Sequence, residues 1–552
     1  MRAPARATIV VWTAWALMLG IALVAIARYG PEIPRAEDWL LVPALTGHEV
    51  SLLSWLWEQN SEHRVPLPRL AYLALLKLTG GDFRAGMVFD TLAIAALAGG
   101  MMLAARRLRG RTSYADAFFP LVLLHLGHWD NLVWSWQIQF VLSTLAAGVL
   151  LLIIATRGGD LTPLPAALAA ACLVALPLCG ANGLALTPFL SVWFAYAALS
   201  AWRDQRRRAV AALAVAAVAI ASLLGIAYFV AYERASWYPP SPGPVATLKT
   251  AAQFLAMAFG PGALAWRHAI TVLTLGLLAA TALLLVKALR SGTIDDRRRA
   301  LGLVCIMLAI VALAVAVAWG RAGRVAAGGG LSRRYALLAA PILCAVFFAW
   351  QVHASGRWVT RLQASMLLVA VALLPANTAS GLRARDWVRA GMEAVQHDID
   401  SGMPLALLAE RHQAFLLHWD GERLANGMRM LREARIPPFA GLRDEFTVEE
   451  IGVGTSSSRA GDVTVDLDGP RRVYAVRLRV PSSAPPAEGW ARIAWKGQRG
   501  GPHEDVTKAT STEPGVAILT VWINDIIEGF RIQSENPATL GDARVVLIVP
   551  RT

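Results

Sequence analysis

The chain has 552 residues, of which 56% are hydrophobic and only 16% are charged. Soluble globular proteins usually carry about 25% charged residues, so the composition excludes an ordinary soluble domain. A net charge of +14 would suggest nucleic acid in a soluble protein, but here the arginines lie mainly between hydrophobic runs. Arginines in that position indicate membrane topology, and we therefore expect a membrane protein with no nucleic-acid partner.

The first apolar run extends from Ile9 to Ile26 and is longer than the core of a signal peptide. We interpret it as a retained first transmembrane helix. Later runs also reach the roughly 20 residues that cross a bilayer, and they must be helical because lipid offers backbone groups no partner. With Arg2 and Arg6 in the cytoplasm, the positive-inside rule predicts about 11 spans and an outside C-terminus. The predicted fold class is thus a polytopic α-helical membrane protein.

The first outside loop, residues 30–83, is rich in polar groups and begins with Glu37 and Asp38. Adjacent carboxylates at a membrane surface repel each other unless they are used or paired. They suit a general base that takes a proton from a hydroxyl, or ligands of a divalent cation. The alternative is an ordinary solvated loop with an ion pair to Arg35 or Arg64. Further along, the loop contains Asn60, Glu62, His63, Arg64 and Arg69.

The second outside loop contains the residues His125, His128, Trp129, Asp130, Asn131, Trp134, Gln137 and Gln139. Its tryptophans suit the membrane interface, so anchoring in an aromatic belt is one interpretation. Asp130 is the acid of this loop, and we expect it to join Asp38 in one site as a second carboxylate or metal ligand. The two histidines can share a helical face, but a zinc pair needs further ligands, and none has a fixed spacing.

A third polar block, from Arg321 to Tyr335, places four arginines outside, against the positive-inside rule. Either the topology is wrong there, or these arginines have a function. Guanidinium groups chelate phosphate oxygens, and the glycines at 328–330 let backbone amides approach as well. The block therefore indicates an anionic lipid headgroup; the alternative is contact with bulk phospholipid. Arginine clusters assigned to the inside include Arg203 and Arg206.

The last part of the chain changes character. Residues 1–380 form the predicted transmembrane domain, and 381–445 have the apolar spacing of amphipathic helices that link it to the next domain. From 446 the period becomes two, as in Val463, Val465 and Leu467, with turns rich in proline and glycine. This pattern predicts a C-terminal extracytoplasmic β-sandwich over 446–552.

The acidic pair after the first helix, within a long outside loop, resembles the GT-C superfamily of membrane glycosyltransferases. The stretch from Asn60 to Arg69 is similar to an NEHR signature of bacterial membrane proteins of this type, although Ser61 separates Asn60 from Glu62. Residues 129–140 and 332–335 resemble two further blocks of those proteins. The resemblance covers roughly residues 8–440, and the β-domain is similar to carbohydrate-binding modules that some such transferases carry.

This resemblance implies an inverting glycosyltransferase of the bacterial inner (cytoplasmic) membrane with a periplasmic C-terminal domain. The donor would be a polyprenyl-phosphate-linked sugar, and the acceptor a glycan or lipid of the envelope. Asp38 would be the catalytic base, or Glu37 if the register slips, and Asp130 the second-loop acid. The donor phosphate would bind Arg333, Arg334, Tyr335 and Arg324. The acceptor side would comprise Asn60, Glu62, His63, Arg64, Arg69, Trp129, Trp134 and Gln137. A divalent metal ion, if one is used, would bind Asp38, Asp130 and Glu62.

Two other functions fit parts of the pattern. A transporter or flippase for a lipid-linked substrate should place charged groups or broken helices near the bilayer midplane. The predicted spans hold almost no ionisable residue, which argues against transport. A non-catalytic envelope assembly protein would instead use the β-domain, with the loop acids lying apart.

Overall fold

The computed structural model describes residues 3–158, 160–202, 207–324, 329–451, 462–481, 489–498, 502–513, 515–534, 540 and 543–551. The chain forms two compact units. The first, here called the helical unit, comprises Met1–Ile33 and Gly47–Arg389; the second, the mixed unit, comprises Pro34–Thr46 and Ala390–Thr552. Among the predicted topology and site residues, Arg2, Arg203, Arg206 and Gly328 lie outside the described residues.

Helices dominate the fold. In chain order they are α1 (Ala3–Tyr29), α2 (Val42–Thr46), α3 (Leu52–Trp57), α4 (Pro66–Leu78), α5 (Arg84–Arg109), α6 (Phe118–Leu123), α7 (Trp129–Leu132), α8 (Ile138–Arg157), α9 (Pro163–Leu178), α10 (Ala181–Trp202), α11 (Arg208–Tyr228), α12 (Pro244–Ala256), α13 (Arg267–Ser291), α14 (Ile294–Arg321), α15 (Tyr335–His353), α16 (Arg357–Asp400), α17 (Leu405–Leu416) and α18 (Gly421–Glu433). Short 3₁₀ helices connect several of them.

In the described part of the chain, nine helices are long and apolar enough to cross a membrane, fewer than the predicted 11 or so. One difference is α9, which has only 16 residues and therefore falls short of a full span. Another is α16, a single helix of 44 residues where the sequence predicted a span over 366–376 and separate helices from 383. The residues after 382 are polar but compatible with helix, so the apolar run ends while the helix continues.

The third difference is the segment between α5 and α8. Both helices begin at the same end of the bundle, because the Ser135 hydroxyl donates to the carbonyl of Phe83 and a side chain at Gly86 would collide with Ser135. The chain must therefore cross back between them. It does so in short pieces, namely a 3₁₀ turn at Tyr114–Ala117, then α6, a 3₁₀ turn at Leu126–His128, and α7. The sequence had predicted one continuous helix from about Ala115.

Polar contacts mark the two ends of the helical unit. At one end, here the Arg109 end, the Arg109 guanidinium pairs with Asp116 at 2.9 Å and donates from Nε to Gln351 at 3.1 Å. At the other, here the Glu62 end, the carboxylate of Glu62 pairs with Arg321 at the last residue of α14. Between them lies a continuous apolar core. Ionic groups thus gather where helices end, as the cost of burying them in lipid requires.

The mixed unit contains the C-terminal antiparallel sheet. Its strands are β1 (Phe446–Ile451), β2 (Asp462–Pro481), β3 (Ala491–Gly497), β4 (Pro502–Val506), β5 (Lys508–Glu513), β6 (Val516–Ser534) and β7 (Arg544–Pro550). They form one hydrogen-bonded sheet in the order β1-β7-β2-β6-β3-β4, with β5 also on β6. The alternating residues Val476, Leu478 and Val480 are buried, as the period of two predicts.

Residues 34–46 pack with this second unit, although the sequence placed them in the transmembrane domain. The ring of Trp39 lies 5.9 Å from that of Phe439, edge to face, and Gly427 leaves room for the Trp39 indole. Trp39 is only 1% exposed. Burial of so large an apolar side chain explains why this part of the loop folds with the C-terminal helices.

A buried polar network joins the helices of the mixed unit to its sheet. The carboxylate of Asp398, which is 1% exposed, contacts His412 at 2.6 Å and accepts from Arg411 at 3.0 Å. Asn524, at a positive φ of 47° in β6, donates to the same carboxylate at 2.7 Å. The network therefore connects α16 and α17 with β6 through one carboxylate.

We predict that Asp398→Ala destabilises the mixed unit by roughly 3 kcal/mol, because it leaves buried donors without their acceptor. Amide hydrogen exchange in the full-length protein should show faster exchange in β6. Asp400→Ala, at an exposed position on the same helix, is the control and should change exchange little. Equal protection of β6 in both variants would contradict a structural role for this network.

Candidate functional site

A tight turn positions Glu62 and His63. Asn60 and His63 exchange two backbone hydrogen bonds, at 2.8 and 2.9 Å, and Ser61 between them has a φ of 55°. The inserted serine thus occupies a left-handed position in the turn. Its hydroxyl donates to Glu62 at 2.5 Å, and His63 Nε2 lies 3.9 Å from the Glu62 carboxylate.

Arg321 is the main partner of Glu62. These side chains form an ion pair and are only 13% and 20% exposed, respectively. The Arg321 guanidinium also donates to the Tyr335 hydroxyl at 3.1 Å and lies over the ring of Tyr238 at 3.9 Å. Arg324 lies over the same ring at 4.4 Å. The first and third polar blocks of the sequence therefore meet in one half-buried ionic cluster.

The second block joins the third at two points. Asp130 lies 3.4 Å from Arg333 in a partly exposed ion pair, and the Asn131 amide donates to the carbonyl of Arg334 at 3.1 Å. Arg334 precedes Tyr335, the first residue of α15 and the partner of Arg321. All three blocks of the helical unit are thus in contact at the Glu62 end.

The charges in this cluster are set by burial and by neighbouring ions. Burial raises the pKa of the Glu62 carboxyl, but His63 and Arg321 outweigh it and bring that pKa below its ordinary value. Burial lowers the pKa of His63 to about 4, and Arg321 and Arg334 act in the same direction against Glu62. At neutral pH the site therefore holds an ionised carboxylate and a neutral imidazole.

The two arginines of the first block contact backbone instead. Arg64 donates to the carbonyls of Tyr228, Trp57 and Val230, at 3.1, 2.7 and 3.0 Å. Arg69 is 1% exposed and donates to the carbonyl of Glu58 at 3.0 Å. Both guanidinium groups therefore stabilise the loop around α3 and α4. These hydrogen bonds do not support the predicted contact of Arg64 and Arg69 with the acceptor substrate.

The remaining predicted acceptor residues are mostly interior. Trp129 and Gln137 are 2% and 0% exposed, and Trp129 packs in an apolar cluster with Ala22 and Met87. Belt anchoring therefore does not explain Trp129, whereas Trp134 is partly exposed. His125 and His128 stack at 4.1 Å between ring centroids, but the described residues hold no group of three or more potential His, Cys, Asp or Glu metal ligands.

Glu37 and Asp38 belong to the mixed unit, not to the helical unit that holds the cluster above. Asp38 is 3% exposed, and its carboxylate accepts from the backbone N–H of Arg35 at 3.2 Å, at the start of the 3₁₀ helix Ala36–Leu41. The next residue, Trp39, borders a cavity of about 310 Å³ that Asp420, Arg423 and Asn426 also line. The structure thus gives Asp38 a local capping role within its unit.

From the sequence, Arg321 had a role only as part of the arginine block 321–335, Asn182 was a weak candidate for a cavity wall, and Tyr238 had no role; all three contact or border the cluster. Arg321 ends an apolar span on the side predicted to lie outside, and this departure from the usual charge bias was the available signal. Tyr238 and Asn182 carry no comparable signal, because only the tertiary contacts bring them close.

Comparison with known proteins adds no family assignment: no protein-family model matches the chain, and no curated protein matches it significantly.

We predict that His63 contributes to the pH dependence of stability. A folded-state pKa near 4, against an ordinary value of about 6.5, means that the unfolded chain binds the proton first. The neutral form of His63 therefore stabilises the folded protein above pH 6.5, and this stabilisation is lost as the pH falls from about 6.5 to about 4. His63→Gln cannot titrate, so its melting temperature should fall less than that of the parent protein over this range.

The control for this measurement is His48→Gln, at an exposed position of the same helical unit. Its melting curves should stay parallel to those of the parent protein between pH 7.5 and 4. If the His63→Gln curves are also parallel to those of the parent protein, the assignment of a neutral, buried imidazole to His63 is wrong.

Proposed function

We propose that the protein transfers a sugar from a polyprenyl-phosphate-linked donor to an envelope acceptor at the outer face of the bacterial cytoplasmic membrane. The observation that carries this proposal is the arginine cluster at the Glu62 end. Arg321, Arg333 and Arg334 converge there on helix ends, beside two carboxylates and a neutral histidine. Such a site combines strong phosphate recognition with access from the ends of membrane-spanning helices.

The donor phosphate would displace the internal acids. Glu62 and Asp130 each neutralise an arginine in the structure, and a phosphate is a stronger partner because it offers more charge and more acceptor oxygens. Arg333 and Arg334 would bind the phosphate, with Arg324 and Tyr335 at the border of the site. Tyr335 supports this by holding Arg321 through its hydroxyl.

The transfer itself needs one base and stabilisation of one leaving group. Asp38 would accept the proton of an acceptor hydroxyl, whose oxygen then bonds to the anomeric carbon with inversion. The bond from that carbon to the phosphate oxygen breaks, and its electron pair leaves with the phosphate. Arginines on that phosphate would stabilise the charge as it develops. The buried carboxylate of Asp38 supports the assignment as base, with Glu37 as the alternative.

A divalent metal ion does not fit Glu62 and Asp130 as the structure pairs them. Glu62 pairs with Arg321, and Asp130 with Arg333, so each acid already has a cationic partner that would repel a second cation. The proposed mechanism therefore contains no metal step.

The acceptor is proposed to be a glycan or lipid of the envelope, and the C-terminal sheet to be a periplasmic domain similar to carbohydrate-binding modules. The polar cavity beside Trp39 supports a glycan, because it combines an indole edge with Asp420, Asn426 and a guanidinium. Aromatic, amide and charged side chains together suit a ligand with both apolar ring faces and hydroxyl groups.

One observation favours the second candidate, a transporter or flippase of a lipid-linked substrate. The crossing between α5 and α8 is broken, and it carries His125 and His128, each 1% exposed. Broken crossings with interior polar groups are typical of transporters. Reconstituted protein that moves a lipid-linked sugar across a vesicle bilayer without transferring it would favour this function.

We predict that Asp38→Asn lowers the transfer rate by 10²-fold or more, because the amide cannot accept the proton. The assay uses purified full-length protein, a radiolabelled polyprenyl-phosphate hexose and an envelope lipid fraction as acceptor. Asp82→Asn is the control, since its carboxylate serves a surface ion pair with Arg84. Full activity of Asp38→Asn, in protein with normal hydrogen exchange, would overturn its role as base.

We also predict that Arg334→Gln weakens binding of polyprenyl phosphate at least tenfold, since a charge-assisted contact is lost. Arg84→Gln removes an arginine near the start of α5 and should leave binding unchanged. Equal affinity of both variants and the parent protein would show that the arginine cluster is not a phosphate site.

A further inference from the structure

Two buried asparagines at the Glu62 end are arranged in the same unusual way. Asn131 is 0% exposed, and its amide nitrogen donates to the carbonyl of Arg334. Asn182 is 3% exposed, and its nitrogen donates to the carbonyl of Gln139 at 3.2 Å and to the Ser143 hydroxyl at 2.5 Å. In each case the side-chain oxygen is buried and has no hydrogen-bond partner among the described residues.

Gln139 extends this pattern. It is 5% exposed, and its Oε1 is likewise buried and unpaired within the described part of the chain. Buried polar atoms in native proteins are almost always hydrogen-bonded, and each unpaired one is destabilising. Three amide oxygens of this kind in one region indicate that they receive hydrogen bonds from a molecule other than the chain.

These amides border the arginine cluster. Asn182 follows Ala181, whose backbone N–H donates to His63 Nδ1 at 3.3 Å, and His63 contacts Glu62. On the other side, Asn131 holds the carbonyl of Arg334. Phe140, next to Gln139, lies 6.4 Å from the Tyr335 ring. One contact thus links Arg334 directly to Asn131. A second series of contacts runs from Arg321 through Glu62 and His63 to Ala181, the neighbour of Asn182.

The unpaired atoms also define the chemistry of the ligand. All three are neutral acceptors, so they need donors, and neighbouring arginines disfavour a cationic donor such as an ammonium group. Neutral donors therefore fit best, and hydroxyl groups are the neutral donors that a sugar supplies in greatest number. A ligand that combines several hydroxyls with a phosphate matches both the amides and the arginines.

We propose that Asn131, Gln139 and Asn182 form a subsite for the neutral, hydroxyl-bearing sugar of the donor lipid, beside the arginines that bind its phosphate. This subsite rests on the proposed function and specifies it: an uncharged hexose is expected, in preference to an amino sugar. Asn131 and Asn182 are held by their nitrogens, so their oxygens are pre-positioned for the sugar. Ordered water in the same place is the competing occupant.

The test is Gln139→Met, which removes an unpaired oxygen and keeps the length of the side chain. Binding to the full-length protein in detergent is measured with two probes, a polyprenyl-phosphate glucose and the same polyprenyl phosphate without sugar. The variant should bind the sugar-bearing probe about tenfold more weakly and the sugar-free probe unchanged, because one hydrogen bond to the sugar is lost. Its melting temperature should stay equal or rise, since no protein hydrogen bond to Oε1 is broken.

Gln351→Met is the matched control, because this glutamine serves Arg109 at the opposite end. It should lower the melting temperature and leave both affinities unchanged. Asn182→Ala provides a second variant if Gln139→Met does not fold, and the same loss of sugar-selective binding is expected. Unchanged affinity of these subsite variants for the sugar-bearing probe would overturn the subsite and leave water as the occupant.

The outcomes separate the subsite from the proposed function. If Arg334→Gln weakens both probes while Gln139→Met and Asn182→Ala weaken neither, the phosphate site stands and the sugar subsite is wrong. If the parent protein binds neither probe, the proposed function fails, and the subsite fails with it. If Gln139→Met lowers the affinity for a glucosamine-bearing probe more than it lowers the affinity for the glucose-bearing probe, the preference for a neutral sugar is wrong.

Discussion

Backbone groups inside a bilayer must find hydrogen-bond partners within the protein, and the helical unit depends on this constraint. It explains why apolar runs are helical and why ionic pairs such as Arg109–Asp116 and Glu62–Arg321 lie at opposite ends of the bundle. The broken crossing between α5 and α8 is compatible with it, because Phe118, Leu123 and Trp129 are buried in protein. Irregular backbone is tolerated at membrane depth only in such surroundings.

The same constraint places ionisable side chains together at the Glu62 end. Partial burial strengthens the attraction between Glu62 and Arg321 and keeps His63 neutral, so at neutral pH the cluster holds an ionised carboxylate beside a neutral imidazole. In the proposed transfer, the donor phosphate replaces Glu62 and Asp130 as the partner of their arginines.

The mixed unit shows how a loop can belong to a different structural unit from its neighbours in sequence. Trp39 buries its indole against Phe439 and Gly427, and this packing draws Asp38 into the unit of the C-terminal sheet. The polar network around Asp398 ties helices and sheet together in turn. Within that unit Asp38 caps a 3₁₀ helix, and the Asp38→Asn measurement tests whether it is also the base.

The sequence by itself determined the apolar helices, the alternation of the C-terminal strands and the presence of three polar blocks, because hydrophobic period and charge bias are local properties. It also singled out the arginines of 321–335 through their departure from that bias. Only the tertiary structure decided that Arg321, and not Arg64, partners Glu62, that α16 runs on beyond its apolar part, and that Asn131, Gln139 and Asn182 lie around one cluster. These features depend on contacts between side chains that are far apart in the sequence, and no local sequence pattern encodes such contacts.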